Sequence, residues 1–243
     1  KHVSLATGPA QSAYEAFGRQ YAALLAKDSI TVTLIPSEGS ADNLRLLREG
    51  KTDLGFVQGG TREADGPLDE DLESLGSLFL EPIWLFYRED AAPAKTKPPR
   101  TLDSLSQLQG LRVNVGTPGS GVPNLMRKLL ESNRVDLAKV SLSHLEQIPA
   151  TVAFLGGELD ALVCASAPES LMVQMLLQTP GIKLMDFAQA EAYSRRFSFL
   201  SPALLPRGED DLASNIAQQN VRLVAPTTTL ITRSTTHPAL LQS

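Results

Sequence analysis

Two hydrophobic rhythms alternate along the chain: short apolar runs, and stretches in which apolar residues return every three or four positions. Residues 3–6 form the first run, which breaks at Gly8-Pro9. Ala13, Phe17, Tyr21, Leu24 and Leu25 then share one helical face. The pattern predicts a strand, a loop, and a helix capped by Ser12. Residues 29–35 read as a second strand. Ser40 reads as the cap of a second helix carrying Leu44, Leu46 and Leu47, and Gly50 as its left-handed stop. A third strand over 54–57 delivers Gln58 to the same edge as Thr7 and Ser40.

The same succession returns about 110 residues later. A strand at Val113 and Val115 breaks into Gly116-Thr117-Pro118-Gly119-Ser120-Gly121. A helix follows, with Pro123 in its first turn and a buried stripe of Leu125, Leu129 and Leu130. The turn Gly157-Glu158-Leu159-Asp160 before residues 161–164 answers Gly50-Lys51-Thr52-Asp53 before 54–57. Such a repeat predicts an α/β chain of two lobes of like topology, each β-α-β-α-β, with a ligand cleft between the lobes at the carboxyl ends of their strands. Between them, residues 75–87 read as one bent strand or two, interrupted at Glu81-Pro82, and 88–100 as a Pro-rich linker. In the second half, Pro168 is expected in the first turn of another helix. Residues 199–207 are expected to cross back, 221–225 and 228–232 to complete the first sheet, and His237 to open a final helix. The expected boundaries are 1–86 plus 203–243 for the first lobe and 87–202 for the second.

Composition narrows the function more by exclusion than by assignment. A chain of 243 residues that is 42% hydrophobic can fill two cores. Its formal net charge of -5, with Lys and Arg spread along the chain, gives no basic stripe for nucleic acid. Cys164 is the single cysteine, which rules out an intrachain disulfide and is compatible with cytoplasm or periplasm. The three histidines, His2, His144 and His237, are scattered, so no metal site is expected. Nucleophile-elbow, Walker and dinucleotide fingerprints are missing, and neither a catalytic constellation nor a cofactor is expected. Asp53 and Asp160 recur, but at the amino ends of their strands, and read as turn residues. His144 reads as a loop or capping histidine, while Trp84 and Tyr87 either line a cleft or pack the crossover. The Ser/Thr/Gly loops at 7–12, 37–40 and 117–121 converge on one edge and are the candidate ligand contacts, with helix amino ends that favour an anion.

Three segments carry a family resemblance: Ala6-Thr7-Gly8 followed by a helix with Tyr14, the stretch from Ser40-Ala41-Asp42-Asn43-Leu44 to Gly55-Phe56-Val57-Gln58, and the loop from Leu111 to Gly121. Together they resemble the TAXI-type solute receptors of tripartite ATP-independent periplasmic (TRAP) transporters, over nearly the whole chain. The resemblance implies a type II periplasmic-binding-protein fold whose lobes close on a small organic anion, such as a carboxylate or an acidic amino acid. It implies contacts from Thr7, Gly8, Ser12, Tyr14, Ser40 and Gln58 in the first lobe and Thr117, Ser120 and Gly121 in the second. It further implies a membrane-embedded transporter subunit as partner and a periplasmic, extracytoplasmic location. Some members continue into a membrane-anchoring segment, so a tether is expected outside these residues. Two other classes share the fold. One is an extracytoplasmic sensing domain of a membrane-anchored protein. The other is an enzyme, which requires a nucleophile or acid–base pair that the sequence does not offer.

Overall fold

The structure, a computed structural model, describes residues 1–10, 12–62, 68–91, 101–206 and 219–235. The final helix expected at His237 and most of the linker expected over 88–100 lie outside the described residues. The chain divides into two compact units. Unit 1 holds Lys1–Phe79, Pro118–Asn124 and Thr227–Ser243; unit 2 holds Leu80–Thr117 and Leu125–Pro226. Residues 118–124, which follow a strand of unit 2 in sequence, make their contacts within unit 1.

In unit 1 the strands β1 (His2–Ala6), β2 (Thr31–Ile35) and β3 (Leu54–Gln58) lie parallel in the order β2-β1-β3, and the far half of a later strand, β11 (Val221–Arg233), runs antiparallel beside β3. Strand β4 (Leu72–Leu80) also pairs with β11. Side chains alternate between the faces of a strand. Accordingly Leu54, Phe56 and Leu230 meet Tyr14, Phe17 and Leu25 of helix α1 (Ala13–Ala26), whereas Val57 and Ile231 meet Leu44 and Leu47 of helix α2 (Ser40–Arg48). One helix therefore covers each face. The α1 face is aromatic: Tyr14, Phe17, Phe56 and Phe79 pack with ring centroids 4.9 to 6.2 Å apart.

In unit 2 the strands run β11-β5-β8-β6-β7, with β5 (Ile83–Arg88), β6 (Arg112–Asn114), β7 (Ser141–Ser143) and β8 (Ala161–Ala165). Strands β6, β7 and β8 are parallel, and β5 is antiparallel to β8, placing Trp84 opposite Cys164. Strand β9 (Ile182–Leu184) adds to β5 and β10 (Leu200–Leu205) to β11. The helices are α3 (Val122–Ser132), α4 (Gln147–Leu155), α5 (Leu171–Gln178) and α6 (Ala190–Arg196). Trp84, Phe86, Ala150, Phe154, Leu162, Val173 and Leu176 belong to a core cluster of this unit.

Two expectations change and one open choice is settled. The runs at 221–225 and 228–232 are one strand, β11, whose first half pairs with β10 in unit 2 and whose second half pairs with β3 in unit 1. The chain thus crosses between units at Pro226-Thr227 rather than over 199–207, and β10 stays in unit 2. Residues 75–87 resolve into β4 and β5, separated by Glu81-Pro82, because proline cannot donate to a ladder. Finally, α5 begins at Leu171, so Pro168 precedes the helix instead of opening it.

Candidate functional site

The concentration of polar groups in unit 1 lies where the carboxyl end of β3, the start of α2 and the segment 118–124 meet. Gly39, not Ser40, occupies the N-cap of α2, with φ +130°, a backbone conformation that favours glycine. A Cβ there would also fall 3.2 Å from the Cα of Ser120. Ser40 is the first helical residue, and its hydroxyl turns inward to accept from the Gln58 amide at 2.9 Å. Tyr14 Oη lies 3.2 Å from the same hydroxyl and 3.3 Å from Thr228 Oγ1. Ser40 thus orients Gln58 and Tyr14 instead of capping.

The segment 118–124 covers this mouth. Gly119 O accepts from the Asp42 amide at 2.9 Å, taking one of the donors that a helix start leaves unpaired. Asn124 Nδ2 donates to Thr61 O at 2.6 Å, and Thr61 Oγ1 donates to Gln58 O at 2.5 Å. Gly121 is buried, and a Cβ on it would sit 2.5 Å from Thr61 Oγ1 and 3.0 Å from Gln58 Oε1. A Cβ on Gly119 would overlap the Glu38 carboxylate.

Amid this close packing, two polar atoms have no partner. Gln58 Oε1 and Ser120 Oγ are buried without a hydrogen bond among the described residues. Gln58 is only 3% exposed. Buried polar groups are nearly always paired, and an orphan costs on the order of 1–3 kcal/mol. Two such atoms in one small region, beside a helix start, form a cradle suited to a ligand that carries both donors and acceptors.

The other residues singled out from sequence are placed as follows. Thr7 is buried, and both its amide and its hydroxyl bond Ile35 O, so it joins β1 to β2. Ser12 caps α1, accepting from the Glu15 amide at 3.3 Å. Gly8 abuts Ser12 and Tyr14, where a Cβ would lie 3.3 Å from each. Thr117 belongs to unit 2, beyond the end of β6. Gly39, Thr61, Asn124 and Thr228 were not singled out; Gly39 stands in a loop read as a candidate contact, but the bonds of Thr61, Asn124 and Thr228 join positions far apart in sequence. Trp84 and Tyr87 are packing residues: Trp84 Nε1 donates to Ser166 O at 2.8 Å, and Tyr87 Oη accepts from the Leu102 amide at 3.2 Å. His144 Nδ1 lies 3.0 Å from Gly116 O, a loop-tying contact.

Among the described residues no group of three or more His, Cys, Asp or Glu side chains could hold a metal ion, and no helix is long and apolar enough to cross a membrane. Burial, helped by the charge of Glu81, pushes the Cys164 thiol up to about 12, so it is not a nucleophile at neutral pH.

The NMT1-like family model matches residues 5–237. The chain belongs to the NMT1-like family. Solved structures with the same fold include the regulatory domain of CcmR from Synechocystis PCC6803 in complex with 2-PG, at 15% identity and a TM-score of 0.56, covering 97% of this chain and 89% of that one. The effector-binding domain of QuiR in complex with shikimate matches at 12% identity and a TM-score of 0.57, over 98% and 89% of the two chains. The alkanesulfonate-binding protein SsuA from Xanthomonas axonopodis pv. citri, bound to MOPS, matches at 17% identity and a TM-score of 0.53, over 81% and 68%. At these identities the likeness establishes the fold of this NMT1-like chain, the two-lobe type II periplasmic-binding-protein architecture. Family and fold are those of ligand-binding proteins.

Proposed function

We propose that the chain is an extracytoplasmic receptor for a small organic acid, delivering it to a TRAP-type secondary transporter. The observation that carries the ligand-binding part is the pair of buried, unpartnered atoms, Gln58 Oε1 and Ser120 Oγ, at the start of α2. A helix start contributes about 0.3–1 kcal/mol to an anion at an exposed site and up to about 2 kcal/mol when partly buried. Micromolar binding requires about 8 kcal/mol. Hydrogen bonds to Gln58 and Ser120, together with apolar burial, supply the balance, so the ligand carries hydroxyl or amino groups as well as its acidic group. The complexes of the neighbouring proteins, with 2-PG, shikimate and MOPS, accord with a small polar ligand. The transporter role rests on the TAXI resemblance of residues 40–58. A second reading, a sensing domain reporting to a membrane partner, draws on the regulatory domains of CcmR and QuiR that share the fold.

A thermal-shift panel of organic acids, hydroxy acids, sulfonates and amino acids, followed by calorimetry on the hits, tests the binding reading. The expected result is a stabilised unfolding transition with at least one acid and a dissociation constant weakened by Gln58→Met. Tight binding of a neutral sugar with no response to any acid ends the organic-acid proposal. Co-purification of the intact protein with either a transporter or a signalling partner separates the two roles.

A further inference from the structure

Helices α4 and α5 lie side by side on one face of the unit 2 sheet. Met172 joins them, its sulfur accepting from Gln147 Nε2 at 3.0 Å and lying 3.4 Å from Thr151 Oγ1. Their inner sides are seated by Ala150, Phe154, Val173 and Leu176. Their outer sides are apolar as well. Ile148, Val152 and Leu155 recur at i, i+4 and i+7 along α4, and Leu171 and Met175 at i and i+4 along α5, so each set shares a helix face. With Leu145, just ahead of α4, these are six of the ten large apolar side chains left exposed among the described residues. Ile148 is 78% exposed and Leu171 89%. Single exposed apolar residues are ordinary, but a contiguous set marks a surface that something covers, and a helix apolar on all sides is normally a buried one.

The charges around this face define what can cover it. Neither helix carries a charged residue, and between Lys139 and Lys183 the chain has no Lys or Arg at all. Three carboxylates frame the helices: Glu146 and Glu169 ahead of α4 and α5, and Glu158 beyond the end of α4. All three are exposed, and none pairs with a cation among the described residues. The nearby guanidiniums are already engaged, Arg88 with Asp90 and Arg112 with Asp160. Lys183 lies on the opposite face of β9 from Ile182 and Leu184, which pack into the same cluster as the helices. An apolar centre in an acidic frame disfavours a second copy, whose own carboxylates would meet these, and likewise an anionic lipid surface. It complements an apolar stripe with basic borders. We propose that the outer face of α4 and α5 is a docking surface for an amphipathic helix of a partner protein, its apolar stripe bordered by Lys or Arg. The surface belongs wholly to unit 2 and needs no bound ligand.

Two synthetic peptides of about 18 residues, long enough to hold a helix, provide the test. They share one leucine stripe and differ only in its borders, Lys in one and Glu in the other. Each is titrated calorimetrically into the intact protein at low and at high salt. The Lys-bordered peptide is expected to bind at least tenfold more tightly than the Glu-bordered one, and to lose affinity severalfold at high salt. Ile148→Gln and Leu171→Gln, at the two most exposed positions of the face, are each expected to weaken that binding at least tenfold while unfolding like wild type. Leu24→Gln, at an exposed apolar position on α1, is expected to leave it unchanged. Glu146→Gln combined with Glu169→Gln is expected to erase most of the preference for Lys borders. Absence of peptide binding up to millimolar concentration, equal binding of the two peptides, or binding indifferent to Ile148→Gln and Leu171→Gln overturns the assignment. So does a dimer in sedimentation equilibrium that Ile148→Gln disperses, which gives the face to a second copy, or binding to phosphatidylcholine vesicles that the same variant loses, which gives it to lipid.

Discussion

The two halves of the repeat keep the same turn and fill the positions around it differently. Helices α2 and α4 each span nine residues and lie 107 positions apart, Ser40 answering Gln147 and Gly50 answering Gly157. Both glycines have positive φ, at +70° and +85°, and each is covered by a guanidinium from an antiparallel strand, Arg233 over Gly50 and Arg88 over Gly157. Asp53 and Asp160 follow, each accepting from the parallel neighbour strand. Asp53 takes the amide and hydroxyl of Ser4, and Asp160 takes the amide and guanidinium of Arg112. Past the turn the likeness ends. Asn43, fully buried, pins α2 by donating to Ala6 O, Thr7 O and Phe56 O. The matching position in α4 is Ala150, and that helix is held by Phe154 in an apolar cluster. The turn is what the topology demands; the pin and the packed ring are separate solutions to seating a helix, and only the polar one lies beside unpartnered polar atoms.

The largest expected effects break those two seats. Asn43→Ala removes a buried amide whose two N–H groups serve three carbonyls, so a loss of about 3–5 kcal/mol is expected. Phe154→Ala leaves a cavity in the unit 2 core and is expected to cost about 3–5 kcal/mol as well. Thr151→Ala, next to the Asn43 counterpart, removes a bond to its own helix carbonyl at Gln147 and is expected to cost under about 1 kcal/mol. Chemical denaturation measures all three, and an Asn43→Ala loss as small as that of Thr151→Ala means that α2 is seated by Leu44 and Leu47 alone.

Next in size is the pH dependence set by Glu81. Its folded-state value of about 7 lies above the ordinary 4.5, so the native chain keeps a proton that the unfolded chain has released. Stability from this group is therefore intact below about pH 4.5 and falls as pH rises toward 7, by about 3 kcal/mol at pH 8. Glu81→Gln cannot ionise, and without ligand it is expected to gain about that amount over wild type at pH 8 and nothing at pH 4.5. Parallel pH-stability curves for the two proteins mean that Glu81 is solvated or paired.

Much of this architecture is legible in the residue pattern, for identifiable reasons. Strand and helix periodicity, Gly50 and Gly157 as left-handed stops, and Asp53 and Asp160 as turn residues are decided by local geometry, which sequence carries. Ser40 misleads because a serine before an apolar-periodic run ordinarily caps it, whereas here Gly39 takes the cap and the hydroxyl serves Gln58. Asn43 looks like an ordinary polar helix position, since its three acceptors lie 13 to 37 residues away. Glu81 looks like a mere interruption, because nothing in a hydrophobic pattern says that the one acidic residue in it is buried. The grouping of residues 118–124 with unit 1 is invisible for the same reason: it rests on Gly119 meeting Asp42 and Asn124 meeting Thr61.

Close packing at the cradle predicts that neither glycine tolerates a methyl group. Gly121→Ala places a methyl 2.5 Å from Thr61 Oγ1 and 3.2 Å from Ser40 Cβ, both on buried residues, so a cost of about 1–3 kcal/mol is expected. Gly119→Ala places a methyl 2.5 Å from the Cβ of Glu38, an atom that no rotamer change moves, and is expected to cost about 1–3 kcal/mol as well. Thermal unfolding measures both, and a Gly121→Ala cost under about 0.5 kcal/mol means that segment 118–124 does not lie over Gln58 as described.

The smallest expected stability change, at Ser120, carries the most information about the site. Helix α3 begins at Val122, two residues later, and the Ser120 hydroxyl bonds none of the described residues. Removing it takes away an orphan rather than a contact, so Ser120→Ala is expected to leave stability within about 0.5 kcal/mol of wild type. Ser12 is the control, because its hydroxyl does cap α1; Ser12→Ala is expected to cost about 1 kcal/mol and to leave affinity alone. If Ser120 meets the ligand's acidic group, its loss removes a charge-assisted hydrogen bond, about 1.5–3 kcal/mol, and weakens binding more than tenfold. The two variants therefore dissociate stability from affinity in opposite senses, read by calorimetry with the tightest acid of the panel. A Ser120→Ala protein that binds like wild type takes Ser120 out of the site and leaves Gln58 as the sole unpartnered group there for a ligand to satisfy.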